Sequence, residues 1–575
     1  MDVCCYTVST VPRSTNKLLA QLAELKQTFG PHDAKKIQTT LRRLSRQTID
    51  EPETLIRFHE ILLFLRAYPQ TSQIVHAAEF ELRNFSRRVA LLQSQGVDLS
   101  ALDDPEMSGI AGTSVTDTFG YSIVRWLFRS HQTQIAFYWD WFEDQYRLAE
   151  TWPRFMPLLE DDSFVEANVP YVEWLRAARN GQTEVAWLVN RFEQLALSEA
   201  EKAELYNSQK LYVRWSPTYR STRTGMRLAA RKIFYHQSPL IQRREISFRE
   251  ELEKPPSSFQ KLSVKEGESA VHMTREASTV RYRELYGFTH GDPRLVLKVD
   301  VGRGVVLYII GVPPERRLPL RAYHAAMIYK NGVPVGYFEG LSLFERMESG
   351  FNFYYTFRDG ETAWIYARTL NVFRHLLGVT AFSIDPYQVG YENEEGIESG
   401  AFWFYRKLGF RPSNRSLLKL TEGEERKIAS HKSYRTSKRT LRRLAGGSMI
   451  FQLNEAEVGD WDSFQVRNIG LAVQKQMATR FSGDAAKMRK TASNLVASAL
   501  GVSTVSWNKT QLGVFSDFSV ALSLISDLDK WSQIEKQGVV LIIKAKAGLD
   551  EGKYLKLMQR HEKLRTEIIR LGSNH

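Results

Sequence analysis

Apolar positions recur at helical spacing through most of the first 240 residues. Leu55, Ile56, Phe58, Ile61, Leu62, Phe64 and Leu65 follow the three-to-four residue period of an amphipathic helix. Just ahead, Thr48-Ile49-Asp50-Glu51-Pro52 supplies a cap and a proline inside the first turn. Leu18, Leu19, Leu22 and Leu25 mark an earlier helix, and Phe80, Leu82, Phe85, Val89 and Leu92 a later one. Residues 97–120 are richer in Gly, Ser, Thr and Asp and predict a loop. Helical pattern returns over 121–235, with Trp126, Trp139, Trp141, Trp152, Trp174, Trp187 and Trp215. An aromatic stripe at this spacing predicts core rather than a ligand box.

The texture then changes. The polar stretch 236–265, with Glu253-Lys254-Pro255-Pro256-Ser257-Ser258, predicts a boundary. Thr279 to Tyr286 reads as a helix, and Leu295–Val299 and Val305–Ile310 have strand composition. Asn331-Gly332, between Ala325–Lys330 and Val333–Glu339, predicts a tight hairpin because both residues accept positive φ. A strand Phe351–Phe357 leads through Arg358–Ala363 into a helix carrying Ile365, Leu370, Phe373, Leu376 and Leu377, which Gly378 ends. Val379–Ile384 is a further strand, 390–400 a Gly/Glu-rich loop, and Ala401–Leu408 a helix stopped by Gly409. Residues 445–575 read as mostly helical, with Leu495, Val496, Leu500, Leu522, Leu524, Ile525 and Leu528 as markers. No helix face emerges over 475–492, Val539–Ile543 fits a strand or a buried helix piece, and a last helix spans Tyr554–Leu571. The expected organisation is a helical domain 1–240, a linker 241–269, a mixed domain 270–425 and a mainly helical region 426–575 with a basic start.

Composition narrows the setting. The 575 residues carry a net charge of +13, which suits an anionic partner. The two cysteines, Cys4 and Cys5, are adjacent, so neither a disulfide framework nor a multi-cysteine zinc site is expected. Apolar runs reach about ten residues, against the roughly 20 that cross a bilayer. Met1–Thr10 lacks a basic segment followed by an apolar run, and a cytoplasmic location is expected. The charge is uneven: 101–200 has 7 basic and 16 acidic residues, 201–250 has 11 and 4, 351–400 has 3 and 7, and 401–450 has 13 and 3. The 426–443 run (Arg426, Lys427, Lys432, Arg435, Lys438, Arg439, Arg442, Arg443) reads either as a solvated helix face or as a docking surface for nucleic acid. No His-x-x-x-His pair with a nearby Glu, Gly-x-Ser-x-Gly elbow or Gly-Lys-Ser/Thr phosphate loop occurs, and no metal is expected.

The order hairpin, strand, Arg/Gly loop, helix, strand, short helix, Gly-Phe over about 270–425 resembles the GNAT acyltransferase superfamily. Ala401, Tyr405, Gly409 and Phe410 fall in register with that family's Asn-x-x-Ala-x-x-Leu-Tyr-x-x-x-Gly-Phe segment, with Phe404 in place of Leu and Glu398 in place of Asn. The family's cofactor loop, Arg/Gln-x-x-Gly-x-Gly/Ala, is met by Arg358 and Ala363, while Glu361 stands at the inner Gly position and Gly360 one place early. The resemblance implies an α/β (α+β) fold: a GNAT-like mixed-sheet core between largely α-helical N- and C-terminal regions. It implies an N-acyltransferase moving an acyl group from acetyl-CoA or another acyl-CoA to the amine of a small molecule or protein. Arg358, Asp359, Gly360, Glu361, Thr362 and Ala363 would hold the cofactor phosphates through backbone N–H groups. Tyr405 would protonate the leaving thiolate, or simply pack beside Phe402 and Phe404, and Glu339 or Glu348 would serve as base, with Asp385 the alternative. Glu392, Glu394, Glu395 and Glu398 would recognise a cationic amine or form a solvated loop. The other use of such a fold dispenses with acetyl-CoA: it takes aminoacyl-tRNA as donor, or binds RNA or a protein partner.

Overall fold

The computed structural model describes residues 13–155, 169–230 and 232–573. Cys4, Cys5 and the Met1–Thr10 segment lie outside them. Helices dominate the N-terminal region, and Leu18, Leu19, Leu22, Phe58, Leu62, Phe64, Phe85 and Val89 form its core as the periodicity requires. Trp152 and Trp215 are fully buried, whereas Trp141 is exposed. The all-helical expectation for 1–240 needs one correction. Strands β1 (Val115–Asp117), β2 (Ile135–Phe137) and β3 (Val213–Trp215) form a small antiparallel sheet in the order β1-β3-β2. At three residues each, they are too short to display a period of two.

The remaining nine strands make one sheet. They are β4 (Phe259–Lys261), β5 (Val296–Gly302), β6 (Val305–Gly311), β7 (Ala322–Lys330), β8 (Val333–Leu343), β9 (Arg346–Phe353), β10 (Ala381–Ile384), β11 (Arg411–Pro412) and β12 (Met449–Gln452). Their spatial order is β11-β12-β10-β9-β8-β7-β6-β5-β4. Every neighbouring pair is antiparallel except β9 and β10. The β7–β8 hairpin turns at Asn331 and Gly332, with φ of 49° and 82°.

Several boundaries move. Residues 241–269 are not a linker: Ser247 caps the helix Phe248–Glu253, β4 pairs with β5, and Phe248 packs on Phe410 and Phe451. The helix expected at 279–286 lies at Val264–Thr279, started by a Ser263/Glu266 capping box. The strand expected at 351–357 begins at Arg346, so Glu348 lies within it, and Tyr355–Phe357 is already a tight helical turn. In the C-terminal region Met449–Gln452 joins the main sheet, while Val539, Ile542 and Ile543 belong to the helix Gln533–Lys546. Only Asn468 and Ile469 are buried in the helix Val466–Phe481, which explains the weak period over 475–481, while Met488, Ala492, Val496 and Leu500 line one buried face of the next helix, Ala485–Leu500. The last helix is two, Glu551–Gln559 and Glu562–Ser573, with His561 Nδ1 accepting from Leu564 N at the second start.

Register separates the two faces of the sheet. Phe338, Ser349 and Phe351 face the helix Thr362–Leu377: Phe338 stacks on Phe373, and Ser349 Oγ meets Tyr366 Oη at 2.9 Å. Tyr323, Glu339, Leu341, Glu348 and Ser383 face the other way, since Leu341 pairs with both Tyr323 and Glu348, and Glu348 with Ser383. The N-terminal region covers the end of the sheet at the β7–β8 tip. The C-terminal helices cover the opposite end, where Tyr554 Oη donates to Leu320 O and Gln559 Nε2 to Phe344 O at 3.0 Å.

Candidate functional site

β10 pairs with β9 only from Ala381/Arg346 to Ser383/Glu348. β9 continues to Phe353, bonded there to β8 alone. The two parallel strands therefore part company after Glu348, immediately before the segment 358–363.

That segment is filled by the chain itself. Arg358 donates to Phe353 O at 3.2 Å and pairs with Glu395 across the gap. Asp359 pairs with Lys26 at 3.0 Å. A Cβ on Gly360 would collide with the Tyr68 ring, which closes over this turn. Glu361 is wholly buried, paired with Lys330 at 3.2 Å and with Arg303, and it accepts from Ile241 N at 3.2 Å. Burial pushes the Glu361 carboxyl upward, but the Lys330 ammonium and Arg303 outweigh it and hold the group below its ordinary range. Burial pulls Lys330 down to about 8 despite Glu361. Thr362 Oγ1 donates to Arg358 O at 3.2 Å, and Ala363 is buried in the first turn of its helix. Glu361 thus turns inward and serves as the counter-ion of a structural joint.

The three candidate catalytic side chains are not brought together. Tyr405 is 3% exposed and packs among Tyr366, Phe404 and Phe410, with ring centroids 5.7, 5.2 and 5.7 Å away. Burial raises its pKa. It lies on the Tyr366 face, while Glu339 and Glu348 lie on the other. Glu339 is largely buried, which raises its pKa, and accepts a hydrogen bond from Tyr323 Oη; Tyr323 in turn accepts from Gly287 N at 2.9 Å. Glu348 lies between Arg321 at 3.4 Å and Arg346 at 3.7 Å. Asp385 caps the following turn through Tyr387 N at 2.9 Å.

Glu348 and Asp385 border a cavity of about 810 Å³ on this second face. Its floor is Leu341, Leu343, Arg346, Ser383 and Ile450, and its rim includes Gly446-Gly447-Ser448 and 461–467. Arg346 is tightly enclosed: Nε donates to Ser383 Oγ at 3.0 Å, and its guanidinium lies 5.5 Å from the Trp461 ring and 5.4 Å from the Phe464 ring. Arg411 holds Asp462 by two bonds of 2.8 and 3.0 Å. Two helices open toward the cavity, one capped by Asn414, the other beginning at Gln465 without a side-chain cap. Arg467 is exposed at the rim. The lining sets three guanidinium groups, Arg321, Arg346 and Arg467, against three carboxylates, Glu348, Asp385 and Asp462, so what it offers to negative charge is the exposed Arg467 and the two helix N-termini. Arg321, Arg346, Trp461 and Arg467 were not singled out from the sequence. The available signal was Gly446-Gly447 just ahead of the apolar run Met449–Phe451.

The acidic loop and the basic run meet each other. Lys438 pairs with Glu394 at 3.3 Å and Glu398 at 2.9 Å, and Arg442 with Glu394 at 2.9 Å. With Glu395 on Arg358, three of the four loop carboxylates are matched by the chain's own cations. Arg426, Lys432, Arg439 and Arg443 remain exposed. Comparison with protein families, curated proteins and solved structures finds no match for the chain. Among the described residues no helix is long and apolar enough to cross a membrane.

Proposed function

We propose that this chain is a GNAT-type N-acyltransferase that takes its acyl group from a polyanionic carrier of the aminoacyl-tRNA kind rather than from acyl-CoA held at 358–363. The observation that carries this reading is Glu361. Its buried carboxylate, neutralised by Lys330 and Arg303, stands where a CoA pyrophosphate would need bare backbone N–H groups. The strand order, and the parallel pair that separates beyond Glu348, support the GNAT-type core. The exposed Arg426, Lys432, Arg439 and Arg443, on the segment leading into the Gly446-Gly447 rim of the cavity beside that separation, support a polyanionic donor.

In such a transfer the acceptor amine loses a proton and attacks the ester carbonyl, and the ribose oxygen leaves with a proton. Glu339 suits the base role, because burial raises its pKa above the ordinary carboxylate value and a stronger base accepts the amine proton more readily. Glu348, flanked by two arginines, suits orientation of the substrate. Filter binding with bulk tRNA at 50 and 200 mM salt tests the reading. Retention that falls steeply with salt supports it. Absence of retention at low salt, with a clear calorimetric signal for acetyl-CoA, overturns it in favour of the CoA donor.

A further inference from the structure

The geometry points to a divalent transition-metal site, zinc by ligand preference, formed by His131, His272 and Glu276. The site is remote in sequence from the cavity and independent of the reading above. His272 and Glu276 stand one turn apart on the helix Val264–Thr279, and His131 ends the helix Tyr121–His131. One ligand atom from each lies within 4.8 Å of the others. His131 Nε2 is 3.4 Å and His272 Nε2 3.3 Å from the same Glu276 Oε1. Bonds of about 2.0–2.1 Å to a tetrahedral zinc separate neighbouring ligand atoms by about 3.3–3.4 Å, so these separations need little adjustment.

Three further observations favour a ligand. His131 is 6% exposed, and its Nε2 makes no well-aligned hydrogen bond, Glu276 Oε1 at 3.4 Å being its polar neighbour. Ser221 Oγ donates to Glu276 Oε1 at 2.7 Å and fixes the carboxylate's orientation. The His272 side chain is 41% exposed, leaving an open side for water as fourth ligand. Two imidazoles and a carboxylate form a donor set that zinc accepts.

One neighbour opposes the metal. Trp126 Nε1 donates to His272 Nδ1 at 3.2 Å. Indole only donates, so neutral His272 carries its proton on Nε2, facing Glu276. Metal at Nε2 of a neutral imidazole requires that proton to move to Nδ1, which breaks the Trp126 hydrogen bond. Trp126 therefore weakens the site, and its removal should tighten binding.

The test uses the full chain, stripped with chelator and titrated with ZnCl₂ against a chromophoric chelator, with Co²⁺ absorption reporting four-coordinate geometry. The expected result is one zinc per chain. His272→Ala, half-exposed and so tolerated by the fold, should weaken uptake by at least about 100-fold, and Trp126→Phe should tighten it several-fold. Far-UV circular dichroism establishes that each variant is folded. Lack of one-to-one uptake, uptake unchanged in folded His272→Ala and Glu276→Gln, or weaker uptake in Trp126→Phe would each overturn the assignment.

Discussion

At Glu361 the end of the β9 connection is closed with charge and rings from the N-terminal region. At Glu348, on the same strand's other face, the chain borders about 810 Å³ of polar space. Both places combine acids with bases, yet the balance differs. Glu361 is fully buried against Lys330 and Arg303, a set in which each buried group needs the others. Glu348 is partly exposed between Arg321 and Arg346, with Arg467 free to face solvent at the rim. The lesson is that an Arg/Gly loop before a helix does not by itself identify a phosphate cradle. What decides is whether the acid within it already has a cation.

The contrast is breakable. The largest effect is expected from Glu361→Gln, which leaves Lys330 buried beside Arg303 without a carboxylate. About 3–5 kcal/mol of stability should be lost in urea unfolding. A loss below about 1 kcal/mol, with changed acetyl-CoA affinity, would mean that the loop is a working cradle. Tyr68→Ala removes the ring that covers Gly360 and should cost about 3 kcal/mol by the same measurement.

Acid should loosen the N-terminal seam in two windows. His59 is lowered by burial from 6.5 to about 4, and His236, also by burial, to about 3. The unfolded chain then binds more protons at these positions, so stability falls as pH drops from about 6.5 toward 4 for His59 and toward 3 for His236. Glu60, whose burial is outweighed by Arg223 and His59, sits at about 2 against an ordinary 4.5. Its contribution is complete above about 4.5 and is lost as pH falls toward 2. Thermal melts across pH 7 to 2.5 should show both declines, and His59→Gln should flatten the upper one. The smallest effect on stability belongs to the open side. Arg439→Glu with Arg443→Glu should shift unfolding by no more than about 0.5 kcal/mol. If tRNA docks there, the same pair should reduce the salt slope of binding by about 2; an unchanged slope would place the docking surface elsewhere.

Much of the layout was legible because local rules governed it. The Asn331-Gly332 turn, the Gly378 stop at φ 77° and the helical period of residues 55–65 are each set within a few residues. The cavity was not legible, because it joins β8, β9, β10 and β12 to residues 461–467 from a region that reads only as helical. Nor was the fate of Glu361, since its partners Lys330, Arg303 and Tyr68 lie far away in sequence and carry no motif. The burial of Phe248 inside a stretch rich in charge and proline misled the boundary at 241–269 for the same reason.

Asn331 at the hairpin tip is 1% exposed. Its Nδ2 donates to Ala67 O at 2.9 Å and Phe234 O at 3.0 Å, and its Oδ1 accepts from Phe234 N at 2.8 Å. One wall of the receptor for this tip, Ala67, is made 264 positions before it, and the other, Phe234, 97 positions before it. At ~5–20 residues per second, the ribosome leaves the completed socket unfilled for roughly five to twenty seconds. The N-terminal region must therefore wait, incompletely settled, for a plug that has yet to be translated, and that interval is when a chaperone has most to protect.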